Sequence, residues 1–339
     1  MQLLQFTDKG IYCPAGDFYI DPWQPVRRAV ITHAHSDHAR WGHQHYLCQH
    51  DSVPLLKLRL GSDIQVQGAA FGETIRYNGV TISLHPAGHI IGSAQIRVEQ
   101  AGEVWVASGD YKLENDGLSG QFEVVKCHTF ITESTFGLPI YNWLPQETIF
   151  DNIAQWIDNN SQTDKNSVIL AYSLGKAQRL LYHLKGKVDH FLVHGAIFNT
   201  HQVLLENGWD LPPVTLLTPD TPKSVFKNSL IIAPPSAADS TWMRKFNPYA
   251  LGVCSGWMQV RGNMRRRNAD AGFALSDHAD WPALLAAVKA TGAQKVYATH
   301  GFSSVFARYL QDTGIAASEV KTAFGEEEEA VPPTPAPTP

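Results

Sequence analysis

The sequence predicts an α+β chain in which a strand-rich unit is interrupted by an alternating α/β segment and then completed. Three patterns predict it. Short runs of period-two alternation fill the stretch before Phe136, helix and strand patterns alternate from Pro145, and strand-and-loop character returns after Leu251-Gly-Val-Cys-Ser255.

Arg28-Ala-Val-Ile-Thr32 is an apolar run preceded by Gly, Pro and Asp turns, as expected of a buried strand. Thr74–Tyr77, Val80–Leu84, Ala94–Val98 and Glu103–Ala107 alternate in hydrophobicity, and Asn78-Gly79 and Ala101-Gly102 mark hairpins. Gln146 to Asn159 has helical spacing, Ser167 to Tyr172 is strand-like, and Lys176 to Leu184 is a helix with its leucines on one face. Phe191–Val193, Leu216–Leu217 and Leu230–Ala233 are further short strands, followed late in the chain by a helix over Trp281–Ala290 and a strand over Lys295–Thr299. An acidic, Pro-rich tail at 326–339 cannot pack.

Composition narrows the class. With 44% hydrophobic and 17% charged residues in 339, the chain is globular and able to bury a large core. No apolar stretch approaches the roughly 20 residues that span a bilayer, and the N-terminus has no basic and apolar secretion signal. Cys13, Cys48, Cys127 and Cys254 are scattered, which fits free thiols in a reducing cytoplasm. The net charge of −5 weighs against a nucleic-acid partner, yet Glu326–Glu329 supplies four of those charges from the tail. Arg261-Gly-Asn-Met-Arg265-Arg266-Arg267 is a local cationic cluster, either solvated surface or phosphate-facing.

His33-Ala-His35-Ser-Asp37-His38 carries the chemistry. It packs four potential metal ligands into six residues directly after an apolar strand. His33 and His35 leave a strand end on the same side, and Asp37 and His38 are expected to open a helix. Imidazole and carboxylate at this spacing suit two neighbouring ions, zinc or another first-row metal; the alternative is a His-rich loop without metal. His89, between Gly88 and Gly92, follows another strand. Asp110 ends Val104–Ala107, where a carboxylate can bridge two ions at roughly 3.5–4 Å, and His300 ends the strand before Gly301. A lone strand-end histidine is more often simply hydrogen-bonded; three such ends following the first cluster favour ligation.

This ordered set resembles the metallo-β-lactamase superfamily of binuclear hydrolases. The resemblance extends to its nucleic-acid-cutting branch with an inserted β-CASP domain, through Thr132-Glu133-Ser-Thr-Phe-Gly137, Ala274-Leu-Ser-Asp277-His278-Ala-Asp280, Thr299-His300-Gly301 and Tyr172-Ser-Leu-Gly-Lys176-Ala-Gln178. Matching segments run from about Asp17 to about Phe302, and within the branch the chain is most similar to bacterial ligase-associated DNA exonucleases. The resemblance implies a four-layer αβ/βα sandwich begun by 1–140 and completed by 251–325, with an α/β insert at 141–250 and the tail at 326–339 outside it. It also implies one ion held by His33, His35 and His89, a second by Asp37, His38 and His300, with Asp110 bridging and Asp21 orienting a ligand imidazole. The ions would be zinc, with manganese the alternative.

Asp110, Glu133 and His278 are the implied catalytic residues of a DNA exonuclease acting in repair, with a DNA ligase and a helicase as functional partners. An RNA-processing nuclease of the same branch and a small-molecule metallohydrolase are the alternatives. His300 departs from the Artemis-type pattern, which usually lacks that histidine, and leaves DNA against RNA open. Lys176, at a helix N-terminus, either holds a phosphate or only packs; with Arg261, Arg265 and Arg266 it completes the nucleic-acid-binding candidates. Trp242, Tyr249 and Trp257 either stack bases or pack in the core.

Overall fold

The computed structural model describes residues 2–238, 240–260, 262 and 268–323. Three sheets organise them. Sheet A runs in sequence order, β1 (Gln5–Phe6), β2 (Ile11–Cys13), β3 (Phe18–Ile20), β4 (Arg28–Val30), β5 (His45–Gln49) and β6 (Val66–Ala69). Its first three strands are antiparallel and the rest join in parallel. Helix α1 (Ser52–Leu60) connects β5 to β6, as a parallel crossover requires.

Sheet B opens as an antiparallel meander of β7 (Ile75–Tyr77), β8 (Val80–Pro86), β9 (Ala94–Gln100) and β10 (Glu103–Ala107), then adds β11 (Thr129–Glu133) in parallel. The β7–β8 and β9–β10 turns use Asn78 (φ 50°) and Ala101 (φ 51°), each followed by glycine, the left-handed pair that a tight hairpin needs.

The chain then leaves to build sheet C. Helix α2 (Gln146–Gln162) leads to β12 (Asn166–Leu170), α3 (Lys176–His183), β13 (His190–Val193) and α4 (Gly195–Glu206). Four strands follow, β14 (Thr215–Leu216), β15 (Ser229–Ala233), β16 (Tyr249–Cys254) and β17 (Ala271–Phe273). All the pairings are parallel, in the order β14-β13-β15-β12-β16-β17. Buried on both faces, its central strands read as continuous apolar runs, Ser-Val-Ile-Leu170 and Leu-Ile-Ile-Ala233. Strands β16 and β17 carry this sheet on to Phe273.

After α5 (Trp281–Thr291), β18 (Lys295–Thr299) returns beside β11, and α6 (Ser303–Asp312) leads to the edge strand β19 (Ala316–Glu319). Sheets A and B share one core, in which Phe18, Ile20, Val30 and Leu47 meet Ile82, Ile96, Val98 and Ile131. The other face of sheet B packs on α5 and α6 through Phe130, Val296, Leu284, Phe306 and Leu310. The other face of sheet A joins α1 and α4 through Tyr46, Leu55, Leu56 and Leu204. The loops after β4, β8, β10, β11 and β18 all open at one end of the A–B pair, and there the polar residues are buried.

Candidate metal centre

Beyond β4 the backbone of Thr32 donates to Asp21 Oδ1 (2.8 Å) and its hydroxyl to Oδ2 (2.6 Å). Asp21 sits just after β3 with φ 42°, a conformation Asp tolerates better than most residues. This tie turns the chain so that His33, His35, Asp37 and His38 all point inward and are buried. The helix expected from Asp37 is not formed. One turn closes through Ala39 N to the His35 carbonyl (2.8 Å), and the chain reverses at Gly42 (φ 101°).

His89 lies in the β8–β9 loop, Asp110 just beyond β10, Glu133 at the end of β11, His278 before α5 and His300 after β18. His300 and Gly301 are both left-handed (φ 60° and 62°), and a Cβ on Gly301 would lie 2.6 Å from the Ser134 carbonyl. Ser134 Oγ donates to the Thr299 and His300 carbonyls (2.8 and 2.6 Å), locking that turn.

Asp110 is the hub. Its Oδ2 is 3.4 Å from His33 Nε2, 3.4 Å from His38 Nε2 and 3.9 Å from His89 Nε2, and its Oδ1 is 3.9 Å from His300 Nδ1. Asp37 Oδ2 is 3.7 Å from His38 Nε2 and 3.6 Å from His300 Nε2. A tetrahedral ion with bonds of about 2.0–2.1 Å spaces its donors roughly 3.3–3.4 Å apart, close to these separations. Four overlapping groups suit a cation by proximity: His33/His35/His89/Asp110, His33/Asp37/His38, His38/Asp110/His300 and Asp110/Glu133/His278.

The outward bonds set the tautomers. His38 Nδ1 donates to Asp21 Oδ2 (2.8 Å), His89 Nδ1 to the Asp277 carbonyl (2.8 Å) and His35 Nε2 to the Leu174 carbonyl (3.1 Å). His33 Nδ1 donates to Thr32 Oγ1 (3.0 Å), whose own proton goes to Asp21. Carbonyls and carboxylates only accept, so each ring carries its proton on the outside and turns a lone pair inward. His35 Nδ1 and His89 Nε2 consequently face each other at 3.1 Å. His33 Nε2 and both oxygens of Asp37 and of Asp110 are buried with no hydrogen-bond partner among the described residues. Inward lone pairs and bare carboxylate oxygens are costly to bury alone and suited to divalent cations.

Burial and neighbouring charge also shift the titration of these groups. Burial, reinforced by His38, holds His33 well below the usual imidazole range. Burial also opposes charge on His38, but Asp110 and Asp37 outweigh it and raise that imidazole well above its usual range. Burial opposes ionisation of Asp110 too, and His38 and His300 overcome it, so its carboxyl falls well below the carboxylate range. Beside this centre, His278 Nδ1 donates to both Glu133 oxygens (3.1 and 3.0 Å), and Glu133 Oε1 accepts from Tyr111 N (2.7 Å). The rings of His278 and His89 are 4.6 Å apart.

All the sequence-nominated ligands, with Asp21, Glu133 and His278, come together here. Lys176 does not reach an open phosphate-facing surface. It is buried, with its ammonium 2.9 Å from Asp277 Oδ2 and over the Tyr172 ring, because a buried lysine needs an acid beside it. Arg261, Arg265 and Arg266 lie outside the described residues, as does the 326–339 tail. Trp257 packs against Phe136 and Trp242 against Phe246.

Sequence reasoning missed Thr32, Arg179 and the Leu174 and Asp277 carbonyls. Arg179 is fully buried, bonded to the Ser276 carbonyl (2.7 Å), Asp277 Oδ1 (3.1 Å) and Gln146 Oε1 (2.9 Å). The one available signal was Lys176 and Arg179, two cations three residues apart on one helix face.

No family model matches the chain. It is 31% identical over 311 residues to a probable DNA ligase of Opitutus terrae, covering 91% of this chain and 30% of that protein. It is 26% identical over 121 residues to cleavage and polyadenylation specificity factor subunit 3 of Dictyostelium discoideum, covering 34% and 15%. Against an RNase J-like protein of Methanocaldococcus jannaschii the identity is 22% over 182 residues, covering 46% and 42%. The chain thus spans less than half the length of each of these relatives. A protein of unknown function from Enterococcus faecalis V583 shares the fold, with a TM-score of 0.58 at 11% identity over 88% of this chain and 80% of that one. These relatives support the metallo-β-lactamase superfamily and its β-CASP nuclease branch. No helix among the described residues is long and apolar enough to cross a membrane.

Proposed function

We propose that this chain is a metal-dependent nuclease that hydrolyses DNA phosphodiester bonds, an exonuclease acting in repair. The convergence of His33, His35, His38, His89 and His300 on the bare oxygens of Asp110 and Asp37 carries the hydrolytic part. The choice of DNA rests on the similarity to a ligase-named protein, which spans 91% of the chain. We read sheets A and B with their flanking helices as the four-layer sandwich. The segment carrying sheet C, running to Phe273, is read as the β-CASP insert.

His33, His35 and His89 would hold one divalent ion and Asp37, His38 and His300 another, with Asp110 between them; zinc suits this donor set best and manganese is the alternative. Such ions, when bound, neutralise phosphate charge and activate water. Asp21 holds the His38 proton on Nδ1 and so aims Nε2 at Asp37 and Asp110. Glu133 holds the Nδ1 proton of His278 and stabilises its imidazolium, so His278 Nε2 can bind the scissile phosphate or deliver a proton to the departing oxygen. Burial of the whole cluster strengthens each of these charge interactions.

A cytoplasmic setting and functional cooperation with a ligase and a helicase complete the reading. An RNA-processing nuclease is the second reading, favoured by the similarity to the polyadenylation factor and to the RNase J-like protein. A small-molecule hydrolase would not need the segment that builds sheet C. The test is digestion of end-labelled single- and double-stranded DNA, and of RNA with the same sequence, across a series of divalent metals. Progressive shortening of DNA from one end is expected. RNA cleavage with DNA intact would move the assignment to the second reading, and no cleavage of either would end both.

A further inference from the structure

The two halves of the metal centre are anchored differently. His33 and His38 are held by Thr32 and Asp21, inside sheet A and its loops. His35 and His89 are held by carbonyls 139 and 188 residues away in sequence, Leu174 before α3 and Asp277 after β17. Those two carbonyls are themselves tied together. Lys176 and Arg179, on the first turn of α3, grip the two Asp277 carboxylate oxygens at 2.9 and 3.1 Å, and Arg179 also binds the Ser276 carbonyl (2.7 Å). All three side chains are buried.

We infer that Lys176, Arg179 and Asp277 are positioning residues that couple the segment carrying sheet C to one of the two cation positions, the one bounded by His35 and His89. This inference rests on the metal-centre reading above. The clamp fixes where the Asp277 and Leu174 carbonyls sit, and those carbonyls fix the tautomer and aim of His35 and His89. His38 is held instead by Asp21, so cutting the clamp should weaken the His35/His89 position more than the one bounded by Asp37, His38 and His300.

The test is metal titration of full-length, chelator-stripped protein with Zn²⁺ and with Co²⁺, read by metal content after gel filtration and by the Co²⁺ visible spectrum. Wild type is expected to take up two ions per chain. Lys176→Met and Asp277→Asn should keep one tight ion and bind the other about 10- to 100-fold more weakly. Lys176→Arg, which keeps the charge, should restore the second. Asp21→Asn, which removes the direct hold on His38 and reaches His33 only through Thr32, should weaken the opposite position more than the His35/His89 position. Circular dichroism and melting separate a cut clamp from a misfolded chain, and Lys176→Met decides the matter if Asp277→Asn does not fold. Folded Lys176→Met that binds two ions with wild-type affinity, or weakens both equally, would overturn the inference. Wild type that binds no metal would instead overturn the metal-centre reading.

Discussion

Glu133→Gln is the most informative single substitution beside the metal centre. Glu133 accepts two bonds from His278 Nδ1 (3.1 and 3.0 Å) and one from the backbone of Tyr111 (2.7 Å). Glutamine fits the same space, and its carbonyl oxygen can keep the Tyr111 bond. That oxygen can also keep one bond from His278 Nδ1, while the amide nitrogen replaces the second acceptor with a donor. His278 thereby loses the anion that stabilises its imidazolium. A buried charge-assisted hydrogen bond contributes about 1.5–3 kcal/mol. Converted at 1.36 kcal/mol per tenfold, kcat should fall about 10- to 150-fold with KM little changed. The assay is steady-state hydrolysis of end-labelled single-stranded DNA from pH 5.5 to 9, alongside metal content and melting temperature. An unchanged kcat in folded, metal-loaded Glu133→Gln would refute the role given to the pair.

Other substitutions probe the frame. Gly301→Ala forces a side chain into a left-handed turn where its Cβ would crowd Thr135 and the Ser134 carbonyl. A loss of about 1–3 kcal/mol is expected, read as a lower melting temperature, and an unchanged one would show that the turn relaxes freely. Burial holds His43 down at about 4, against about 6.5 in an unfolded chain. The unfolded state therefore binds an extra proton in that window, and His43 makes stability fall as pH drops from about 6.5 to about 4. His43→Leu at equal metal loading should flatten that limb in urea unfolding, and parallel limbs would contradict the assignment.

Much of the centre was legible because strands announce their ends. Apolar runs such as Arg28–Val30, Val104–Ala107 and Lys295–Thr299 stop within three residues of a histidine or aspartate, and the two packed sheets bring such strand ends together. The helix misread at Asp37 shows the limit of local cues, since an acid at a plausible first turn also suits the single turn that forms. The partner of Lys176 was hidden for a different reason. That partner, Asp277, is 101 positions away, and only the packing of α3 against the loop after β17 decides that the ammonium meets a carboxylate. The Leu174 and Asp277 carbonyls had no signature, because every residue has a carbonyl. Strand β17, Ala-Gly-Phe273, gave no signal because it is too short to show alternation.

Metal content and nuclease activity of purified wild type beside Asp110→Ala bear most directly on a centre organised around one carboxylate. Wild type should carry two divalent ions per chain and degrade labelled DNA, and folded Asp110→Ala should lose ions and activity together. Stoichiometric metal and undiminished hydrolysis in that variant, or wild type free of metal yet active, would contradict it.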